Sequence, residues 1–243
     1  MIALPEPSAD LLDGTALFLD FDGTLIELAE TPSSILVPPG LAPLLARLHD
    51  RLAGRLAIVS GRAVDDLESH LPAMSIAFSG SHGVEMRLAD GRRLPVVVPH
   101  DLAVVRAAVR AFAAAQIGLL VEDKPAGIAL HFRQAPEAAT AVEGFMHDLA
   151  TKHDLAIQRG SMVVELRPHG ADKGDAVRAF MRDAPFRGAR PIFVGDDLTD
   201  EHAFAAVAEL GGAGVLVGPA RDTGAAFRLP SVAAVTAWLE RAV

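Results

Sequence analysis

The chain contains no cysteine. That excludes a disulfide framework and thiolate chemistry, and it fits a cytoplasmic enzyme. Positive charge is also scarce: 22 lysines and arginines stand against 31 aspartates and glutamates, a net charge of −9. Nucleic acid or an anionic membrane would call for a basic face, so neither is expected as a partner. An anionic small molecule would instead need positive charge gathered locally, as a bound cation or a few placed basic side chains. Long apolar runs are missing too, since every hydrophobic segment is short or interrupted by charge, and no transmembrane helix is expected. The segment Met1–Gly14 carries Pro5, Glu6, Pro7 and Asp10, without the basic start and apolar stretch of a signal peptide. What is present is a globular balance, 51% hydrophobic and 22% charged over 243 residues. A chain of this length can bury a sizeable core as one large domain or two modest ones.

The pattern along the chain predicts an α/β fold: a Rossmann-like, parallel-sheet core interrupted by an inserted α+β domain. Ala16–Leu19 is a short apolar run that meets Asp20-Phe21-Asp22-Gly23, the pattern of a buried strand ending in a functional loop. Leu41, Leu44, Leu45, Leu48 and Leu52 are spaced as one face of a helix. Leu56–Val59 is a second buried strand, stopping at Ser60-Gly61-Arg62, and Ile76–Phe78 a third. Polar residues at the C-terminal ends of parallel strands are where open α/β sheets bind ligands. A hairpin is expected next, turning at Asp90-Gly91 between strands over 84–88 and 94–98. From about His100 the rhythm becomes helix, strand, strand, helix, strand, strand, with its own internal duplication. The core rhythm resumes with a helix over 173–183, a strand Ile192–Val194 running into Gly195-Asp196-Asp197, a short strand Val215–Val217 and a C-terminal helix bearing Val235, Trp238 and Leu239. The expected division is therefore residues 1–99 with 169–243 as core and 100–168 as an insert, a cap over the strand ends.

The residues that carry chemistry lie at those ends. Asp20 and Asp22, on alternate positions leaving a strand, can point at one cavity if something offsets their repulsion. Mg²⁺ does so, since it takes oxygen ligands from few carboxylates plus a substrate phosphate. An ionised aspartate is then a competent nucleophile towards phosphorus. Ser60 could simply cap the following helix; with Gly61 beside it, it could equally offer a hydroxyl and backbone N–H groups to phosphate oxygens. Lys173, at a helix start among acids, could be a surface ion pair, although a cation there opposes the helix dipole unless an anion is present. In Gly195–Glu201, Asp196 and Asp197 are the better ligand candidates, whereas Asp200 and Glu201 suit a helix N-terminus on dipole grounds.

The segments Asp20–Leu25 (DFDGTL), Val59–Arg62 (VSGR), Ala171–Gly174 (ADKG) and Gly195–Glu201 (GDDLTDE), in that order, resemble the haloacid dehalogenase-like phosphatases over essentially the whole chain. The resemblance implies that Asp20 attacks phosphorus, while Asp22 protonates the leaving alcohol and then activates water. It implies that Asp20, the backbone carbonyl of Asp22 and Asp196 hold Mg²⁺, that Ser60 and Lys173 bind the phosphoryl group, and that Asp197 supports them from behind.

Three further segments narrow the family: Gly80–Glu85 (GSHGVE), Glu122-Asp123-Lys124 with Ala129–Arg133, and Val164–Pro168 (VELRP). With GDDLTDE they resemble the trehalose-6-phosphate phosphatases, which implies that Glu122, Lys124 and Glu165 contact sugar hydroxyls. Carboxylates and a lysine on adjacent strands suit a polyhydroxylated ligand; they could also merely pair with their cross-strand neighbours. His82, His131 and Arg133 are read as structural, and His82 with His131 lacks zinc-site spacing. The expected protein is a monomer acting on a small sugar phosphate. A phosphatase for sucrose phosphate or a glycosyl-phosphoglycerate is the neighbouring alternative. A phospho-acceptor signalling module is the alternative outside enzymes, disfavoured because it needs neither Asp22 nor an insert.

Overall fold

The structure, a computed structural model, describes residues 4–29, 34–72, 74–170 and 172–243. Ala171 of the ADKG segment and Met1 to Ala3 lie outside them. The chain divides into two compact units, Met1–Leu94 with Asp172–Val243, and Pro95–Ala171.

In the first unit a seven-stranded sheet runs in the order β11-β10-β9-β1-β2-β3-β4. Its strands are β1 (Thr15–Leu19), β2 (Leu56–Val59), β3 (Ala77–Gly80), β4 (Glu85–Arg87), β9 (Arg190–Gly195), β10 (Ala213–Val217) and β11 (Phe227–Leu229). All neighbours are parallel except β3 and β4. Each face of β1 meets its own helical layer, so the strand reads as an unbroken apolar run instead of an alternating one. Leu17 and Leu19 belong to a core shared with α1 (Leu41–Arg51), α2 (Val64–His70) and α7 (Val232–Arg241), through Leu44, Leu45, Leu67 and Trp238. Ala16 and Phe18 belong to the opposite core, with α5 (Lys173–Arg182) and α6 (Glu201–Glu209), through Val177, Phe180 and Phe204. Each buried Leu, Val or Phe among them contributes roughly 1.5–3 kcal/mol.

The second unit has the expected element order: α3 (Leu102–Ala114), β5 (Leu120–Lys124), β6 (Gly127–His131), α4 (Ala139–His153), β7 (Ala156–Gly160) and β8 (Val163–Arg167). The expected insert of 100–168 falls within it. Its antiparallel sheet is ordered β5-β6-β8-β7. Ile128, Leu130, Val164 and Leu166 form one core with Val105 and Val109 of α3 and Val142 and Met146 of α4. Phe112 and Phe145 stack at 4.1 Å where the two helices meet.

The expected hairpin is only partly formed. β4 joins the sheet edge against β3, and beyond the turn the pairing shrinks to a single bridge between Arg87 and Arg93. The Leu94 N–H donates to Met86 O at 2.9 Å, the last bond of that pairing among the described residues. α2 and β11, both short, were not anticipated.

Candidate active site

β1 lies between β9 and β2, with Leu19 paired to Val194 on one side and Ile58 on the other. The chain leaves β1 and β9 towards opposite flanks of the sheet, and the crevice at such a reversal of strand order is where open α/β sheets bind ligands. Three strands end together there, delivering Asp20, Asp196 and Ser60. Asp20 is anchored by its own N–H, which donates to Val194 O at 2.9 Å.

Lys173 Nζ sits 2.7 Å from Asp20 Oδ1 and 2.7 Å from Asp200 Oδ1. All three side chains are almost wholly buried. The lysine is the first residue of α5, whose Asp172 cap accepts from the Asp175 N–H. Asp20, Asp196 and Asp200 each offer a carboxylate oxygen within 4.8 Å of the others. Burial pushes the Asp20 carboxyl well above its ordinary value; Lys173 pulls it down, and the carboxylates of Asp200 and Asp196 push it back up. Burial, then Asp200, raise Asp196 to about 6, against the pull of Lys173. Burial opposes the Lys173 charge, but Asp20 and Asp200 overcome it and hold the ammonium protonated. Three carboxylates around one ammonium leave the pocket short of positive charge. A hard divalent cation with oxygen ligands fits that donor set.

Gly23 makes the cluster possible. Its φ is +74°, and a Cβ there would lie 2.2 Å from Asp196 Oδ2, so a side chain would displace the carboxylate. Thr24, also buried, reaches Asp196 Oδ1 through its hydroxyl at 3.4 Å. Ser60 is buried and its Oγ accepts from the Arg62 N–H at 3.1 Å. Gly61 faces the His82 imidazole, which stands 2.6 Å from where a Cβ would be.

Asp197 does not occupy the place expected of it. It is exposed, and its carboxylate accepts from the Leu198 N–H at 2.7 Å. The buried supporting acid is Asp200, three residues on, which also accepts from the Asp197 N–H through Oδ2 at 2.9 Å. One tight turn between β9 and α6 points position 197 outward and position 200 back under the sheet edge. The charge pattern of GDDLTDE alone favoured the acids nearest the strand, whereas the fold buries Asp200 and leaves Asp197 exposed.

Asp22 lies apart from the three clustered carboxylates; its own carboxylate is bound by Arg62, through Nε at 2.6 Å and Nη2 at 2.8 Å. Arg62 closes the VSGR segment, and sequence reasoning gave it no role.

In the second unit, Glu122, Ala129, Glu165 and Gln158 are directly opposite one another across the four strands, and so line one face. The other face is the apolar core. Small Ala129 leaves room between the two glutamates. Glu122 pairs with Lys124 Nζ at 2.6 Å along its own strand and with His131 Nε2 at 2.8 Å across to β6. Burial raises the Glu122 carboxyl, but His131 and Lys124 outweigh it and hold it down at about 2. Burial raises Glu165, against Lys124 and Arg167. Arg133 reaches Ser161 O at 3.4 Å within the same unit. This face is a compact set of charged groups suited to hydroxyl-bearing ligands.

Residues 18–232 match the family described as trehalose-phosphatase. The chain is 44% identical over 210 residues to a probable trehalose-phosphate phosphatase of Sinorhizobium fredii, covering 86% of this chain and 79% of that one. It is 37% identical over 241 residues to trehalose-6-phosphate phosphatase of Escherichia coli, covering 97% and 88%. Its fold is that of the C-terminal domain of Candida albicans trehalose-6-phosphate phosphatase, with a TM-score of 0.82 at 21% identity over 98% and 97% of the two chains. With a family match over most of its length and relatives well above 30% identity, the chain belongs to the trehalose-phosphatase family.

Proposed function

We propose that this protein is a Mg²⁺-dependent phosphatase that hydrolyses trehalose 6-phosphate to trehalose and inorganic phosphate through an aspartyl phosphate on Asp20. The observation that carries the reading is the Lys173 ammonium held between Asp20 and Asp200 beside Asp196, in a chain of this family. The Asp20, Asp196 and Asp200 cluster fits Mg²⁺; Asp20, Asp196 and the backbone carbonyl of Asp22 are its ligands in this reading. When bound, Mg²⁺ supplies the positive charge that lets a dianionic phosphate approach carboxylates. Ser60, with the backbone at Gly61, and Lys173 hold the phosphoryl oxygens. Asp200 keeps Lys173 protonated and fixed.

Asp20 forms a bond to phosphorus as the ester P–O bond breaks, and the electron pair goes to the sugar oxygen, which takes a proton from Asp22. Asp22, now ionised, takes a proton from water; the water oxygen bonds to phosphorus and the Asp20 carboxylate is released. One residue thus serves as acid and then base, which spares each step a charged leaving group or a weak nucleophile. The second unit acts as the specificity cap, with Glu122, Lys124 and Glu165 on the sugar.

Phosphate release with Mg²⁺ from trehalose 6-phosphate, glucose 6-phosphate and sucrose 6-phosphate tests the substrate. A kcat/KM for trehalose 6-phosphate at least about tenfold above both others is expected, a difference of about 1.4 kcal/mol. Preference for sucrose 6-phosphate would transfer the assignment to a neighbouring sugar phosphatase, and no turnover of any ester would sink it.

A further inference from the structure

We propose that Arg62 is a positioning residue for the acid/base Asp22, an inference that rests on the mechanism above. Its guanidinium grips both carboxylate oxygens at once, Nε on Oδ2 at 2.6 Å and Nη2 on Oδ1 at 2.8 Å. A planar fork fixes the plane of a carboxylate as well as its distance, which a single hydrogen bond cannot do. The fork is itself held from three directions. Nη1 donates to Asp66 Oδ2 of α2 at 2.7 Å. The guanidinium lies 5.9 Å from the centre of the Phe21 ring, within cation–π range. The Arg62 backbone N–H donates to Ser60 Oγ, tying the fork to the loop that carries the phosphate-binding serine.

This is not a solvated surface pair of the kind that contributes little, since the Arg62 side chain is only 10% exposed. The fork uses one lone pair on each carboxyl oxygen, so the other lone pair of either oxygen can carry the proton that Asp22 first gives up and later takes back. Arg62 therefore does not block Asp22; it limits where the proton can go. Without it, Asp22 is free to rotate, and proton transfer to the departing sugar oxygen loses its geometry. Neither Ser60 nor Lys173 can replace that function, because each engages other groups.

The test compares two leaving groups in Arg62→Ala, Arg62→Lys, Asp66→Asn, Asp22→Asn and the Asp22→Asn/Arg62→Ala double variant. The leaving groups are trehalose 6-phosphate, whose alkoxide must be protonated, and p-nitrophenyl phosphate, whose phenolate need not be. Arg62→Ala is expected to lower kcat for trehalose 6-phosphate roughly ten- to a hundred-fold, part of the effect of a general acid, with KM changed less than about threefold. Single-turnover phosphorylation of Asp20 by the aryl ester should fall far less. Arg62→Lys keeps the charge but cannot form the fork, and should behave like Arg62→Ala. Asp66→Asn leaves the fork but loosens its far edge, and should show the same pattern more weakly.

In the Asp22→Asn background, adding Arg62→Ala should cost less than about twofold more, because a residue acting through Asp22 has nothing left to position. Full additivity in that cycle, a large rise in KM with kcat intact, or equal loss on both leaving groups in Arg62→Ala would each overturn the inference. Should Arg62→Ala fail to fold, Arg62→Lys carries the same comparison. Equal loss on both leaving groups in Asp22→Asn alone would instead refute the acid/base role beneath it. The two failures are therefore told apart.

Discussion

At the scale of single residues, placement outweighs identity. Asp197 and Asp200 are the same side chain three positions apart, yet one caps a turn in solvent and the other is fully buried against Lys173. Asp20 faces burial and two like charges, and only Lys173 among the described side chains bonds it with a positive charge. Asp20→Asn should fold normally and lose more than about a hundredfold in turnover of trehalose 6-phosphate, since a carboxamide cannot attack phosphorus. A folded variant that keeps more than that would remove Asp20 as nucleophile. Gly23 carries a separate prediction. Gly23→Ala puts a side chain into a left-handed backbone and onto the Asp196 carboxylate, so it should destabilise the protein by about 1–3 kcal/mol and raise the Mg²⁺ concentration needed for half-maximal activity. Unchanged melting temperature and unchanged metal requirement together would show that the loop yields easily.

At the scale of elements, β1, β9 and β2 matter because their register brings three sequence-distant strand ends into one row. That row was legible in the sequence, since each strand is an apolar run that stops at Asp, Ser or Gly-Asp. The β5-β6-β8-β7 sheet works differently, with an apolar face on its helices and a charged face opposite. Replacing Glu122, Lys124 or Glu165 by Ala should lower kcat/KM for trehalose 6-phosphate roughly ten- to a thousand-fold while p-nitrophenyl phosphate changes little, because groups left unpaired by the wrong ligand confer specificity. Parallel losses on both substrates would assign these residues to folding. Glu122 also makes a pH prediction. Its folded value of about 2 lies below the ordinary 4.5, so its contribution to stability is fully present above that ordinary value and is lost as pH falls through about 2. Acid titration followed by carboxyl NMR should find Glu122 still ionised at pH 3.5, and Glu122→Gln should flatten the acid-unfolding curve in that window. Titration of Glu122 near 4.5 would show that His131 and Lys124 do not hold it.

At the scale of the whole molecule, an acidic protein of net charge −9 is read as handling an anionic substrate with very few placed positive charges. No helix among the described residues is long and apolar enough to cross a membrane. If Mg²⁺ supplies the missing charge, chelation should abolish phosphate release, by more than about a hundredfold, and added Mg²⁺ should restore it. Full activity after exhaustive chelation would refute metal dependence. Much of this protein was decided by its sequence alone. The apolar runs set the parallel sheet because a strand buried on both faces must be apolar throughout. The change of rhythm near His100 marked a second unit, and the four segments resembled a phosphatase family, to which the chain belongs. Three things were decided only by tertiary structure. The pairing of β4 with β3 took that strand into the sheet edge and left the expected hairpin as one bridge. The turn after β9 chose Asp200 over Asp197 as the partner of Lys173. The meeting of the β1 and β2 loops put Arg62 on Asp22. Each depends on which way a loop or its side chains run, and that direction is set by the packing of distant elements, which no local run of residues encodes.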